Sequence, residues 1–421
     1  MTLSRRTSRL PLAIAPLATA GLLLCQLGAA APAFAQDKHL DPAFGNGGKV
    51  RTNLGSATDV INGLAVQGTK IVAVGTTTRP GPGKNFAIAR YNANGTLDGT
   101  FGSGGVVVTD FGGEDIANGV VVTGTTIVVA GSTQNTEGQD FALARYTDTG
   151  ALDPTFGTGG KVVTDLGDFE GARGLATTSG KLIAVGNSAS GDFAIVVYTS
   201  AGQPDTTFSG DGKTFVDFAG DFDEAHAVIA STDGFVVGGY ATDPTRDADF
   251  GTVALDLAGN LVPGSKVMSD FGGDDVINAL TMQNGKLVAA GYTNRPTTKQ
   301  DFAVARYNAD HALDKTFGTG GVAKTDFAMD ADAATGVVVD GTGLLVAGRS
   351  ITSGREYFGL VRYTSIGTRD TTFGTNGRAT TGFAGDARAN ALVAHGTGYV
   401  AGGSILTTAG LDFGLARYVL S

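Results

Sequence analysis

The stretch DFALARY, residues 140–146, returns through the chain as NFAIARY (85–91), DFAIVVY (192–198), DFAVARY (301–307), YFGLVRY (357–363) and DFGLARY (412–418), with a worn copy, DFGTVAL, at 249–255. Aligned on their central phenylalanines, the seven copies lie 52 to 57 residues apart. A fixed period of that size marks a solenoid, a propeller or an array. Two other landmarks keep the same beat. Leu-Asp-x-x-Phe-Gly-x-Gly-Gly stands at 40–48, 97–105, 152–160 and 313–321, has variants at 205–212 and 370–377, and is lost in one copy around Pro263-Gly264. An apolar run ending in glycine recurs as KIVAVG (70–75), TIVVAG (126–131), KLIAVG (181–186) and KLVAAG (286–291).

Each unit reads as four strands. Segments such as ANGVVV (117–122), TIVVAGS (126–132), DFALARY and GGKVVTDL (159–166) are rich in β-branched and aromatic residues and are bounded by Gly, Asn and Asp. No segment sustains a 3.6-residue apolar period, so helices should be scarce. Four antiparallel strands per unit is the sheet of a propeller blade. The expected fold is therefore all-β, a seven-bladed β-propeller of four-stranded blades. We letter the strands A (nearest the axis) to D. The chain starts on a D strand, residues 47–53, and ends on a C strand, residues 412–419. The N-terminal strand is thus expected to close the last blade.

In a propeller both faces of every blade pack on neighbours, which is why one motif must recur. Alternation in DFALARY puts Phe141, Leu143 and Arg145 on one face and Ala142, Ala144 and Tyr146 on the other. Phenylalanine is the wedge between blades, and alanine lets the next blade approach. The repeated arginine (Arg90, Arg145, Arg306, Arg362, Arg417) reads as an ion-pair donor to the Asp of the Leu-Asp-x-x-Phe-Gly turn. Together the two motifs resemble the bacterial delta-60 repeat of β-propeller proteins of unknown function. The resemblance spans nearly all of residues 40–418, implies a propeller, and brings no catalytic residues with it.

Composition narrows the function. Arg5, Arg6 and Arg9, an apolar run from Leu10 to Leu24 and Ala33-Phe34-Ala35 have the three parts of a secretory signal peptide. Residues 1–35 are expected to be removed, leaving 36–421 as one secreted or periplasmic domain. That cleavage takes away Cys25, the single cysteine, so the core must hold without disulfides. The net charge of −10 becomes −13, with 27 basic residues against 40 acidic ones. Such a balance disfavours nucleic acid and anionic membrane surfaces, and beyond the signal no segment is apolar enough to span a bilayer.

Function is sought where the repeat is broken. The B-to-C loops (76–85, 132–139, 187–191, 241–248, 293–300, 350–356 and 405–411) vary in length and charge over a constant scaffold, the usual seat of specificity. On the same face, the segment entering strand A carries an acid in six units: Asp59, Asp115, Glu170, Asp223, Asp275 and Asp332, with Asp386 displaced by one in the seventh. Three residues on stand Asn62, Asn118, Arg173, His226, Asn278 and Thr335, with Asn390 in the seventh unit. Both sets are expected as polar rings at one channel mouth. The acids read as turn caps or as hard oxygen ligands for Ca²⁺. Arg173, His226 and Thr335 depart from the asparagine rule. The four histidines occupy unrelated repeat positions, and no nucleophile elbow or metalloprotease helix is present. These features point to a monomeric, non-enzymatic propeller that binds a protein, glycan or cell-surface partner through its B-to-C loop face. The alternative is a lyase or hydrolase using Arg173 as charge stabiliser and His226 as general base or acid.

Overall fold

Seven four-stranded antiparallel sheets succeed one another along the chain in the computed structural model. It describes residues 38–55, 57–78, 83–136, 138–167, 169–218, 222–242, 247–295, 299–328 and 330–420. Residues 1–35, expected as a signal peptide, Asp168, Asp221 and parts of several B-to-C loops lie outside the described residues. Among those residues there is no helix. Blade 1 carries strand A at Asp59–Gln67, B at Lys70–Thr78, C at Lys84–Tyr91 and D at Val106–Thr109. Blades 2 to 6 repeat that order through residues 114–164, 171–216, 224–269, 275–325 and 333–381. Blade 7 takes A, B and C from Ala387–His395, Gly398–Thr407 and Gly410–Tyr418, and its D strand is Lys49–Thr52 from the start of the chain. The ring is closed by main-chain pairing of Lys49 with Ala416 through Thr52 with Phe413.

The repeated motif does its packing on both blade faces. Phe141 and Leu143 lie in the cluster with Ala172, Leu182 and Ala184 of blade 3, whereas Ala142, Ala144 and Tyr146 lie against Phe86 and Ile88 of blade 1. The tyrosine adds a tie across the interface. Its buried hydroxyl donates to the last Thr or Ser of the preceding blade's D strand, as in Tyr91 to Thr52 (2.9 Å), Tyr146 to Thr109 (2.7 Å) and Tyr198 to Thr164 (2.8 Å). The arginine is an ion-pair donor to the turn aspartate, Arg90 to Asp98 at 2.7 Å, Arg145 to Asp153 at 3.0 Å and Arg306 to Asp314 at 2.8 Å. Arg362 pairs with Asp370 and Arg417 with Asp41 in the same way. Each guanidinium of the first three also lies over the Phe of its own turn, at 4.5 to 4.8 Å, a cation–π contact that keeps a half-dehydrated charge in place. The turn needs glycine at Gly105, where φ is +97° and a Cβ would sit 2.8 Å from that of Leu97.

Candidate functional site

In every blade the A–B pairing slips by one residue, leaving one A-strand residue bulged. The bulged residues are Asn62, Asn118, Arg173, His226, Asn278, Thr335 and Asn390. A bulge re-aims a side chain and is favoured beside functional sites. The glycine closing the apolar run of strand B makes it possible. A Cβ on Gly75 would stand 1.9 Å from the Val60 carbonyl oxygen, and Gly131, Gly186, Gly239, Gly291, Gly348 and Gly403 have an A-strand carbonyl as close. All seven bulged residues line a single cavity of about 450 Å³, joined by Glu224, Tyr240, Val276 and Tyr292.

Five of the seven obey one rule. The Asn278 amide donates to the Ala334 carbonyl (2.8 Å), the Thr335 hydroxyl to Ala389 (2.9 Å), Asn390 to Ile61 (2.8 Å), Asn62 to Ala117 (2.9 Å) and Asn118 to Ala172 (2.8 Å). Each acceptor is the residue just before the next blade's bulge, so the side chains form a relay from blade to blade. Arg173 and His226 leave the relay. Arg173 Nε donates to Glu224 Oε1 (2.7 Å) of the next blade, with half of its own side chain exposed. His226 Nδ1 donates to Asn278 Oδ1 (3.2 Å), and its Nε2 faces Glu224 Oε2 at 3.6 Å. The Tyr240 hydroxyl donates to Glu224 Oε2 (3.3 Å), and the Tyr240 ring meets that of His226 edge-on at 5.7 Å. Burial alone would raise the Glu224 carboxyl, but His226 and Arg173 outweigh it and hold it down at about 2. Burial, with the Glu224 charge, pushes the Tyr240 phenol up to about 12. At neutral pH the cavity therefore holds a fixed carboxylate, a guanidinium and a protonated phenol within one cluster.

Glu224, Tyr240 and Tyr292 were not singled out from sequence. Glu224 directly follows Asp223. In the repeat frame it occupies a position held by Val60, Ile116, Gly171, Val276 and Ala333, and by Arg388 in blade 7. Tyr240 pairs with Glu224 and Tyr292 with Val276, at a B-strand position held by Thr76, Ser132 and Asn187 in blades 1 to 3. Two exposed aromatics stand on the same face, Phe169 (66% exposed) and Phe222 (68%), each just ahead of the acid entering blade 3 or blade 4.

The acidic residues stand behind the ring, outside the cavity lining. Asp59, Asp115, Glu170, Asp223, Asp275 and Asp332 are fully buried, so they form no second ring at the mouth. Most hold the turn between blades. Asp59 accepts from the Leu54 N–H (2.8 Å) and the Thr77 hydroxyl (2.7 Å), Asp115 from Phe111 (2.7 Å) and Thr133 (2.6 Å), and Asp332 from the Phe327 and Ile351 N–H groups (both 2.9 Å). Three of them meet two more acids. Oxygens of Asp140, Asp165 and Glu170 lie within 4.8 Å of one another, as do those of Asp192, Asp217 and Asp223 and those of Asp249, Asp270 and Asp275. These trios are the hard oxygen sets a divalent cation favours. Burial, with neighbouring carboxylates adding, raises Asp115 and Asp223 and lifts Asp275 to about 6 and Asp332 to about 7.

Residues 70–101, 126–156, 283–317 and 343–373 match the family described as "Domain of unknown function (DUF5122) beta-propeller". Four of the seven blades thus contain a stretch that matches this family. The matched stretches are the B strand, C strand and following turn of blades 1, 2, 5 and 6, in agreement with the delta-60 resemblance. No curated protein matches the sequence. Among solved structures, the chain is similar to Sqt1 from Chaetomium thermophilum bound to the N-terminus of the ribosomal protein L10 (12% identity, 87% of this chain, 98% of that one, TM-score 0.47). It is also similar to polysaccharide lyase Uly1 (13%, 91%, 92%, 0.45) and to Trypanosoma rangeli sialidase in complex with sialic acid (11%, 89%, 59%, 0.43).

Proposed function

We propose that this is an exported, non-enzymatic binding propeller whose B-to-C loop face receives a glycan, with one sugar seated in the channel-mouth cavity. A single observation carries the reading. Within a ring of equivalent positions, blades 3 and 4 replace the structural relay by Arg173 and His226, and Glu224, Tyr240 and Tyr292 join them in lining one cavity. A fold that needed only closure would keep asparagine there. The cavity's volume of about 450 Å³ falls in the range of small-ligand sites, and amides, hydroxyls and one guanidinium–carboxylate pair suit a hydroxyl-rich ligand better than an apolar one. Phe169 and Phe222 offer exposed rings beside the strands that carry the cluster.

The test is ligand-observed NMR with neutral and uronate-bearing oligosaccharides on the parent, Arg173→Ala and Tyr240→Phe proteins. Saturable binding weakened at least tenfold in both variants is expected. Absence of binding to the parent, or equal binding to all three, would sink the glycan reading. The bridging of His226 and Tyr240 by Glu224 favours a second reading, hydrolysis or lysis of the same ligand with His226 as proton carrier. Product formed by the parent and lost in His226→Ala would put that reading in place of simple binding.

A further inference from the structure

On the opposite face, blade 4 contains a hole in a place that blades 1, 2 and 5 fill. In blades 1, 2 and 5 the sixth residue of the C-strand motif is arginine, stacked over its turn phenylalanine: Arg90 on Phe101, Arg145 on Phe156 and Arg306 on Phe317. Strand register identifies the blade 4 counterpart of Arg90 as Ala254, since Val72 pairs with Arg90 and Val236 with Ala254. The turn that should supply phenylalanine is shortened. Val262 takes the place of the aspartate, and Ser265 closes the turn by bonding the Ala254 main chain at 3.1 Å. What remains is a cavity of about 260 Å³ lined by Ile229, Phe235, Val236, Ala254, Val262 and Met282. Asp233 and Asp256 also line it. Apolar surface continues outside, with Leu261 49%, Val262 37% and Met282 43% exposed.

We propose that this vacated socket is a docking site for a protein partner, which inserts an aromatic side chain flanked by Arg or Lys. The intact blades show what the space accepts, a benzyl ring capped by a cation that pairs with a carboxylate. Here the ring, the cation and the turn aspartate are gone, while Asp233 and Asp256 set two other carboxylates at the rim. Charge complementarity therefore selects a basic segment, the more so against a chain of net charge −10. Exposed Leu261, Val262 and Met282 extend the apolar contact past one ring, which a peptide chain covers and a free aromatic compound does not.

The experiment follows the Met282 methyl NMR signal, assigned with Met282→Leu, during titration with N-acetyl-Phe-Arg-amide, N-acetyl-Ala-Arg-amide and N-acetyl-Phe-amide. A saturable shift with the first, weakened at least tenfold when either the ring or the cation is removed, is expected. Ala254→Arg, which restores the residue of the repeat, should abolish the shift, and Val262→Phe should do the same by filling the socket from its rim. Equal response to Ala-Arg, response undiminished in a folded filled variant, or no saturable shift overturns the proposal. Response to N-acetyl-Phe-amide equal to that of Phe-Arg overturns the basic-partner assignment. Arg173→Ala should leave the titration unchanged, which keeps this result separate from the mouth cavity.

Discussion

From Asn278 round through Thr335, Asn390 and Asn62 to Asn118, each bulged side chain bonds the next blade's main chain; across blades 3 and 4, Arg173 and His226 turn instead to Glu224 and Asn278. Both regions are built on the same bulge and the same glycine, so backbone geometry does not separate them. The difference lies in what the re-aimed side chain is asked to do. On the regular side it joins blades, and on the other it presents charge and hydroxyl groups to a cavity. A repeat chain thus carries its own internal control, and a departure from the rule can be weighed against six other copies of the same environment.

The largest effect belongs to the regular scaffold. Phe141 is fully buried against blade 3, so Phe141→Ala should cost about 3 to 5 kcal/mol of unfolding free energy in denaturant titration. A cost below about 1 kcal/mol would mean that the wedge carries none of the blade packing, and the contrast between scaffold and site would lose its first term.

The buried acids behind the ring give a smaller, pH-dependent effect that should be indifferent to the contrast. Asp275 and Asp332 titrate near 6 and 7 in the folded protein, above the ordinary value of 3.8. Between those limits the folded chain binds more protons than the unfolded one, so stability from these groups rises as pH falls from about 7 to about 4. Asp98, Asp205 and Asp314 work in the other direction. Lys and Thr bonds depress them, and their contribution is full above about pH 4 and is lost only below it. Melting should therefore shift upward from pH 7.5 to 5, and Asp332→Asn should flatten the slope by on the order of 1 kcal/mol. A parent whose melting point falls across that window, or a variant with unchanged slope, would show that these carboxyls titrate normally.

How much of this was legible in the sequence follows from the range of each interaction. DFALARY and Leu-Asp-x-x-Phe-Gly are local and fill the same environment in each blade, so period, strand count and closing strand could be read directly. The Arg90–Asp98 pair was readable too, because both partners belong to repeated motifs. The acids misled because sequence spacing does not reveal depth. Asp59 and Asn62 are three residues apart in one strand, yet one is buried against the turn it caps and the other faces the channel. Glu224 and Tyr240 lie on neighbouring strands and meet only through the register of blade 4, although their departure from Val60 and Thr76 was available to a column-by-column comparison. The empty socket at Ala254 was hidden for a different reason, since lost motifs read as erosion until the space they vacated is seen.

The smallest effect is the sharpest test of the contrast, because it compares two substitutions at one repeat position. Asn118→Ala removes a 2.8 Å bond to a carbonyl of the adjoining blade, leaving that acceptor without its side-chain donor. It should cost about 1 kcal/mol. Arg173→Ala removes a half-exposed guanidinium whose partner, Glu224, keeps the Tyr240 hydroxyl and His226 as neighbours. An ion pair so open to solvent is worth little, and the expected loss is under about 0.5 kcal/mol. The order should invert for ligand affinity, with Arg173→Ala the damaging change and Asn118→Ala the mild one. Equal stability losses would place Arg173 among the structural residues, and the asymmetry of the ring would then need no ligand to explain it.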